Sequence, residues 1–153
     1  MMEERLDTSR RSVFMAGVHD GVPIALGYFV VAFTLGILAK TAGLTPWQGF
    51  VTSAVNIASA GEYAGFTVIA AQAPYLEIAV LTLVANARYF LMAAALTQRF
   101  APETSLLHRL AVSFGVTDEI FGITVARGGA LNPYYNYGAM AISVPAWAAG
   151  TSA

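Results

Sequence analysis

The sequence predicts an all-α protein, a polytopic transmembrane helical bundle of about five hydrophobic segments, with the second segment broken or re-entrant. Of its 153 residues, 57% are hydrophobic and only 11% are charged, and the mean hydropathy is +0.62. A water-soluble domain of this length needs more charge to cover its surface. The charges are also unevenly spaced, and the stretches 21–39, 41–61 and 128–153 contain none. Each stretch is close to the roughly 20 residues that a helix needs to cross a bilayer core.

Composition also excludes several classes of function. The net charge is −1, and the eight cations are too scattered to form the clustered basic surface that nucleic acid requires. The absence of cysteine excludes disulfides, thiol catalysis and cysteine-ligated metals. Sequence motifs of zinc peptidases, serine hydrolases and phosphate-binding glycine loops are missing. We therefore expect a protein that is not an enzyme and that needs no cofactor or metal.

The first span is predicted to run from about Gly17 to Ala39. Lys40 and Gly43 end it, because a cation and a glycine both suit the C-terminal end of a helix. Asp20, close to the predicted start, is explained as an acid at the positive end of the helix dipole.

The second segment opens with a strong helix-start pattern. Thr45 supplies a hydroxyl N-cap, Pro46 takes the first helical position, and a glutamine follows three residues after the cap. The side chains of residues 56–65, farther along the segment, are too polar and too small to face lipid. The distribution of lysine and arginine between the two sides of the membrane mildly favours a re-entrant second segment, which turns back at Ser59–Gly61, over one that crosses. This count does not establish the re-entrant arrangement.

Each of the remaining three segments begins at a proline. The third starts at Pro74 and ends near Gln98, the fourth opens at Pro102 and ends at Arg127, and the fifth starts at Pro133.

The domain organisation follows from these segments. Residues 1–16 are predicted to form a juxtamembrane N-terminal segment, and residues 17–153 a transmembrane domain. The last span would just cross the membrane and leave no polar flank after Ala153. We therefore expect the transmembrane domain to be incomplete at its C-terminal end.

Glu62, Arg88, Asp118 and Glu119 are the ionisable residues of the predicted spans that would strongly oppose folding if they faced lipid. One ionised side chain at the bilayer centre costs about 2.5–3.5 kcal/mol on the insertion scale, so these groups must face protein, water or one another. The simplest pairing sets Arg88 against Glu62 or Asp118. The alternative interpretation is that they are structural contacts between helices.

A polar site is predicted around the break in the second segment. Asn56, Ser59 and Gly61 suggest a discontinuous helix, whose free backbone amides and carbonyls can bind the carboxylate and ammonium of a zwitterion. Asn86 of the third span is expected to assist. A hydrogen-bonding seam between helices is the alternative explanation for these polar residues.

Several motifs lie along nearly the whole chain from Gly17 onward. They are GVPIALG at 21–27, the turn at 42–46, the small residues at 59–62, Asn86-Ala87-Arg88, Thr117-Asp118-Glu119, and the W-x-x-G-T pattern of Trp147, Gly150 and Thr151. Together these motifs resemble the AzlC family, the large subunit of branched-chain amino-acid exporters. The chain departs from the family at Glu62, where glutamine is typical, and at Tyr89, where histidine is frequent.

The resemblance implies a multi-pass permease of the inner membrane that exports valine, leucine or isoleucine, with methionine as a further candidate substrate. It also implies a small membrane partner subunit of the AzlD type. We expect transport to be secondary and proton-linked, with the proton on Glu62 or Asp118 and with Arg88 balancing an acid. The alternative is a passive channel for small solutes or ions.

Overall fold

The computed structural model describes the backbone of residues 2–153 and the side chains of residues 9–153. All regular elements of the described chain are helices. It contains no strand, apart from an isolated bridge between Phe100 and Leu131. The helices are α1 (Met2–Thr41), α2 (Pro46–Val55), α3 (Ser59–Ala70), α4 (Tyr75–Thr97), α5 (Leu106–Phe114), α6 (Asp118–Ala126) and α7 (Pro133–Ser152).

The first helix ends as the sequence predicts. Gly43 has a φ of +82°, its N–H donates to the Lys40 carbonyl oxygen, and the Leu44 N–H donates to the Ala39 carbonyl oxygen. This pair of bonds is the glycine-terminated Schellman motif. At its other end, α1 begins at Met2. The described part of the predicted segment 1–16 is therefore helical and continuous with the first span. Met1 lies outside the described residues.

The predicted start of the second segment is confirmed in detail. The Thr45 hydroxyl accepts from the Gln48 N–H, the Gln48 side chain accepts from the Thr45 N–H, and Pro46 is the first helical residue. The reciprocal bonds form a capping box, which satisfies two helix-end N–H groups. Helix α2 then ends at Val55, and α3 begins at Ser59.

The fourth segment differs from its prediction at two points. Helix α5 begins at Leu106 and not at Pro102, because the Ser105 hydroxyl supplies the N-cap by accepting from the His108 N–H. The chain then breaks again at Gly115–Thr117, and Thr117 caps the start of α6. The predicted proline start was therefore wrong, and the second break was missed.

The chain divides into two compact units. Unit 1 contains the chain up to Ile24 together with Leu91–Ser143, and unit 2 contains Ala25–Phe90 and Val144–Ala153. Each unit contains one broken helix pair, α5–α6 in unit 1 and α2–α3 in unit 2. Both pairs start at a hydroxyl N-cap, and both break for three residues.

Small residues bring α1 and α7 close together within each unit. In unit 1, a methyl group added at Gly17 would overlap the Tyr135 carbonyl, and one added at Gly21 would press against Ala139. In unit 2, a methyl group at Gly36 would meet the Thr151 carbonyl oxygen at 2.6 Å. Close packing through small residues is typical of helices in membranes.

Among the described residues, two helical stretches are long and apolar enough to cross a membrane, Ser9–Thr41 and Tyr75–Thr97. Their most apolar windows are only 28% and 0% buried within the described chain. Large side chains such as Leu26, Val84 and Leu91 are consequently 67–75% exposed. Apolar surface of this extent marks an interface with lipid or protein.

Candidate functional site

A buried carboxylate lies at the centre of unit 2. Glu62 is in the first turn of α3 and is 1% exposed. Its Oε2 accepts a hydrogen bond from the Ser53 hydroxyl of α2 at 2.9 Å, and its Oε1 accepts one from the Trp147 indole N–H of α7 at 2.5 Å. Ser53 is 0% exposed and Trp147 is 3% exposed, so water does not reach this group.

The helix break positions Glu62 for these contacts. The Ala58 N–H donates to the Asn56 carbonyl oxygen, and the extended backbone of Ala58 starts α3 without a side-chain cap. The free N–H groups of a helix start carry partial positive charge, which favours a carboxylate in the first turn. The same break turns Ser53, the last buried residue of α2, toward the carboxylate.

Aromatic packing fixes the indole donor. The rings of Tyr28 and Trp147 meet edge to face, with centroids 5.3 Å apart and planes at 71°. This geometry is favourable for aromatic pairs and adds to the burial of both rings. The Trp147 N–H is thus held in place for Glu62.

The partners of Glu62 correct one prediction. Both of its oxygens bond neutral donors, and among the described residues no cation lies against it. The alternative that pairs Arg88 with Glu62 is therefore wrong. Arg88 lies on the exposed α4 surface instead, with its guanidinium 5.2 Å from the centroid of the Tyr89 ring and Nη2 donating to the Tyr89 hydroxyl at 3.4 Å.

A second polar contact joins α4 to the break between α2 and α3. The Asn86 Nδ2 donates to the Asn56 Oδ1 at 3.1 Å, and the Asn86 Oδ1 is buried with no partner among the described residues. A methyl group added at Gly61 would lie 2.6 Å from the Asn86 Nδ2 and 2.7 Å from its Oδ1. Only a glycine at this position leaves room for the carboxamide.

The structure therefore gathers part of the predicted site. Asn56, Gly61, Glu62 and Asn86 lie together around the break, and Ser59 is the first residue of α3. Asp118 and Glu119 belong to unit 1, where they are exposed in the first turn of α6.

Sequence reasoning missed the residues that hold Glu62. Trp147 was noted as part of a sequence pattern but not as a partner of Glu62, and Ser53 was not singled out. A usable signal for Trp147 was its place in the W-x-x-G-T pattern, which also contains the buried Thr151. Ser53 carries no such signal, since a serine in an apolar helix is common.

Asp20 has a different role from the predicted one. Helix α1 begins 18 residues earlier, so Asp20 lies within the helix and not at its start. Its Oδ2 accepts a hydrogen bond from the Tyr135 hydroxyl of α7 at 2.7 Å and lies 3.7 Å from the Arg127 guanidinium. It links α1 to α7 within unit 1.

Comparison with known proteins places the chain in a family. The family model described as AzlC protein matches residues 23–153. An uncharacterized membrane protein of Archaeoglobus fulgidus is 28% identical over 147 residues, which cover 94% of this chain and 62% of that protein. The inner membrane protein YgaZ of Escherichia coli is 31% identical over 117 residues, which cover 76% of this chain and 47% of that protein.

The chain spans 62% and 47% of the lengths of these two relatives. No solved structure matches it. The family model nevertheless covers every segment discussed above from Pro23 onward, including both helix breaks and the Glu62 contacts. The chain belongs to the AzlC family.

Proposed function

We propose that this chain forms the membrane-embedded, multi-pass core of a secondary transporter that exports branched-chain amino acids. Support for the membrane location comes from the two apolar helical stretches, whose side chains are exposed on the described protein. Further support for this location comes from two relatives that are named as membrane proteins, one of them an inner membrane protein. Valine, leucine and isoleucine as cargo rest on the resemblance of the motifs to the family.

The cargo is proposed to bind at the break between α2 and α3. The uncapped N–H groups at the start of α3, around Ser59 and Gly61, suit a carboxylate. The side chains of Asn56 and Asn86 offer hydrogen bonds to an ammonium group, and the buried Asn86 Oδ1 has an acceptor position to spare. Broken helices bind substrates in this way in other transporters.

Glu62 is the proposed proton carrier, and its environment is the observation that carries the proposal. Glu62 is 1% exposed and is bonded only by neutral donors among the described residues, so no salt bridge has to break when it exchanges a proton. A proton exchanged at this position lies beside the proposed cargo site. Arg88 is proposed to balance an acid, and Asp118 is the alternative proton carrier.

The working transporter is proposed to include a small membrane subunit of the AzlD type. Counterflow in proteoliposomes that contain the full-length protein and this subunit tests the proposal. Vesicles loaded with unlabelled valine should transiently accumulate labelled valine above its equilibrium level. A passive channel, the alternative function, would only equilibrate the label, and that result would overturn the transporter mechanism.

Glu62→Gln tests the proton role with little disturbance of the site. A glutamine can still accept from the Trp147 N–H, and the Ser53 hydroxyl can rotate to accept from its amide. We expect valine exchange to persist while the pH dependence of net efflux disappears. Glu77→Gln, an exposed acid at the start of α4, is the matched control and should leave the pH profile unchanged. A pH profile that survives Glu62→Gln would remove Glu62 from the mechanism.

A further inference from the structure

Unit 1 contains a polar cavity that the proposed cargo site does not use. Its volume is about 140 Å³. Polar side chains from the α4 end, from α6 and from α7 line it, namely Arg99, Thr124, Arg127, Asn132, Tyr135 and Asn136. Arg127 has a side chain that is 50% exposed, so the cavity is bordered by a residue that solvent reaches.

One residue that lines the cavity, Asn136, has a buried hydrogen-bond acceptor without a partner among the described residues. Asn136 is 0% exposed, and its Nδ2 donates to the Thr124 hydroxyl oxygen at 2.8 Å. Because the Thr124 hydroxyl itself donates to the Ile120 carbonyl oxygen at 2.6 Å, it can only accept from Asn136, and this fixes the orientation of the carboxamide. The Asn136 Oδ1 is buried without a partner among the described residues. A buried acceptor in a polar cavity calls for a donor from a bound molecule.

The two arginines of the cavity differ in how many of their N–H donors are already hydrogen-bonded to the protein. Arg99 donates to the carbonyl oxygens of residues 124, 125, 127 and 129, so its charge is matched to the C-terminal end of α6. Arg127 stacks on the Tyr135 ring at 4.3 Å, and its Nη1 is 3.7 Å from the Asp20 Oδ2, beyond a hydrogen bond. Arg127 is therefore the cation that can take an additional anionic group.

We propose that this cavity is a second binding site for a small amino acid, with the ammonium group on the Asn136 Oδ1 and the carboxylate on Arg127. The volume corresponds to roughly five waters at about 30 Å³ each, well below a drug-sized pocket. A zwitterion of that size supplies a donor at the closed end and an anion at the open end. The site rests on the proposed function for the choice of amino acids as ligands.

Cysteine protection tests the site, and the chain contains no cysteine of its own. Asn136→Cys in the full-length protein with its partner, in membrane vesicles, should react with a small methanethiosulfonate reagent. Ser143→Cys is the matched control, because Ser143 is also 0% exposed on α7 but does not line the cavity, and it should stay unreactive. Ala130→Cys, at an exposed position of the cavity wall, replaces Asn136→Cys if that variant does not fold.

The proposal expects glycine or valine to slow the reaction severalfold, and an amine or a carboxylic acid of matched size to slow it much less. Arg127→Gln should raise the protecting concentration roughly tenfold or more, as expected for a lost charged hydrogen bond. Absence of reaction at both cavity cysteines, or a reaction that no amino acid slows, would overturn the site. Protection in vesicles without valine counterflow would support this site while rejecting the proposed function.

Discussion

Gly61→Ala, compared with Gly65→Ala, offers a sharp test of the structure at the proposed cargo site. Both glycines lie on α3, four residues apart. A methyl group at Gly61 would lie 2.6 Å from the Asn86 Nδ2, whereas one at Gly65 would have no neighbour closer than the Thr82 Oγ1 at 3.9 Å. Real Cβ atoms do not approach other atoms to 2.6 Å, so Asn86 must move in the first variant and nothing needs to move in the second.

The magnitude follows from the contacts. Overpacking of a filled space costs about 1–3 kcal/mol, and losing the 3.1 Å bond between Asn86 and Asn56 costs about another 1 kcal/mol. Replacing glycine by alanine within a helix favours folding by about 0.5–1 kcal/mol, and this gain is roughly common to both variants. We expect Gly61→Ala to be less stable than Gly65→Ala by about 2–4 kcal/mol.

Thermal unfolding in detergent micelles, followed by tryptophan fluorescence, measures this difference, and valine counterflow measures its effect on transport. Gly65→Ala should unfold at or above the wild-type temperature and transport normally. A double variant with Asn86→Ala isolates the contact, because the added methyl group at position 61 then meets no carboxamide. Equal stability of the two single variants, or an unchanged cost of Gly61→Ala in the Asn86→Ala background, would refute the reasoning.

Three further predictions concern groups that hold the helices. Trp147→Phe keeps the aromatic packing but removes the donor to the Glu62 Oε1, so thermal unfolding should show a loss of about 1.5–3 kcal/mol. Arg99→Gln leaves carbonyls at the end of α6 without their donors, so the free energy of unfolding should fall by about 2–4 kcal/mol. Faster hydrogen exchange of the α6 amides would measure this loss. Thr45→Ala removes the cap of α2 and should lower stability by about 1 kcal/mol, whereas Thr45→Ser should not. An Arg99→Gln or Thr45→Ala protein as stable as wild type would contradict the assigned cap.

Helix ends were largely predictable because their signals are local. The Thr45 capping box and the Gly43 terminus use atoms within about six residues of each other, so the residue types themselves specify the bonds. The start of α5 was misplaced because two local signals compete there. A proline at 102 and a serine at 105 can each start a helix, and the Ser105 hydroxyl prevails.

The polar site was predictable in composition but not in its pairings. The cost of charge in a membrane singled out Glu62 from the sequence, and the small polar residues before it were the basis for predicting a broken or re-entrant segment. Which groups satisfy Glu62 depends on contacts across 9 and 85 positions of the chain, to Ser53 and Trp147. Electrostatic reasoning favoured the cation Arg88 as a partner, because the sequence does not reveal that two neutral donors bond both carboxylate oxygens of Glu62.

The residues themselves determined that the chain is helical and rich in apolar segments, where several of its helices begin and end, and to which family it belongs. These properties follow from composition and from short-range backbone chemistry. Only the tertiary structure decided that Asp20 bonds Tyr135, that the Asn86 carboxamide lies against Gly61, and that Asn136 lines a cavity while its buried oxygen has no partner among the described residues. Such contacts join residues 25 to 115 positions apart, and their existence depends on how the helices pack rather than on any local preference of the chain.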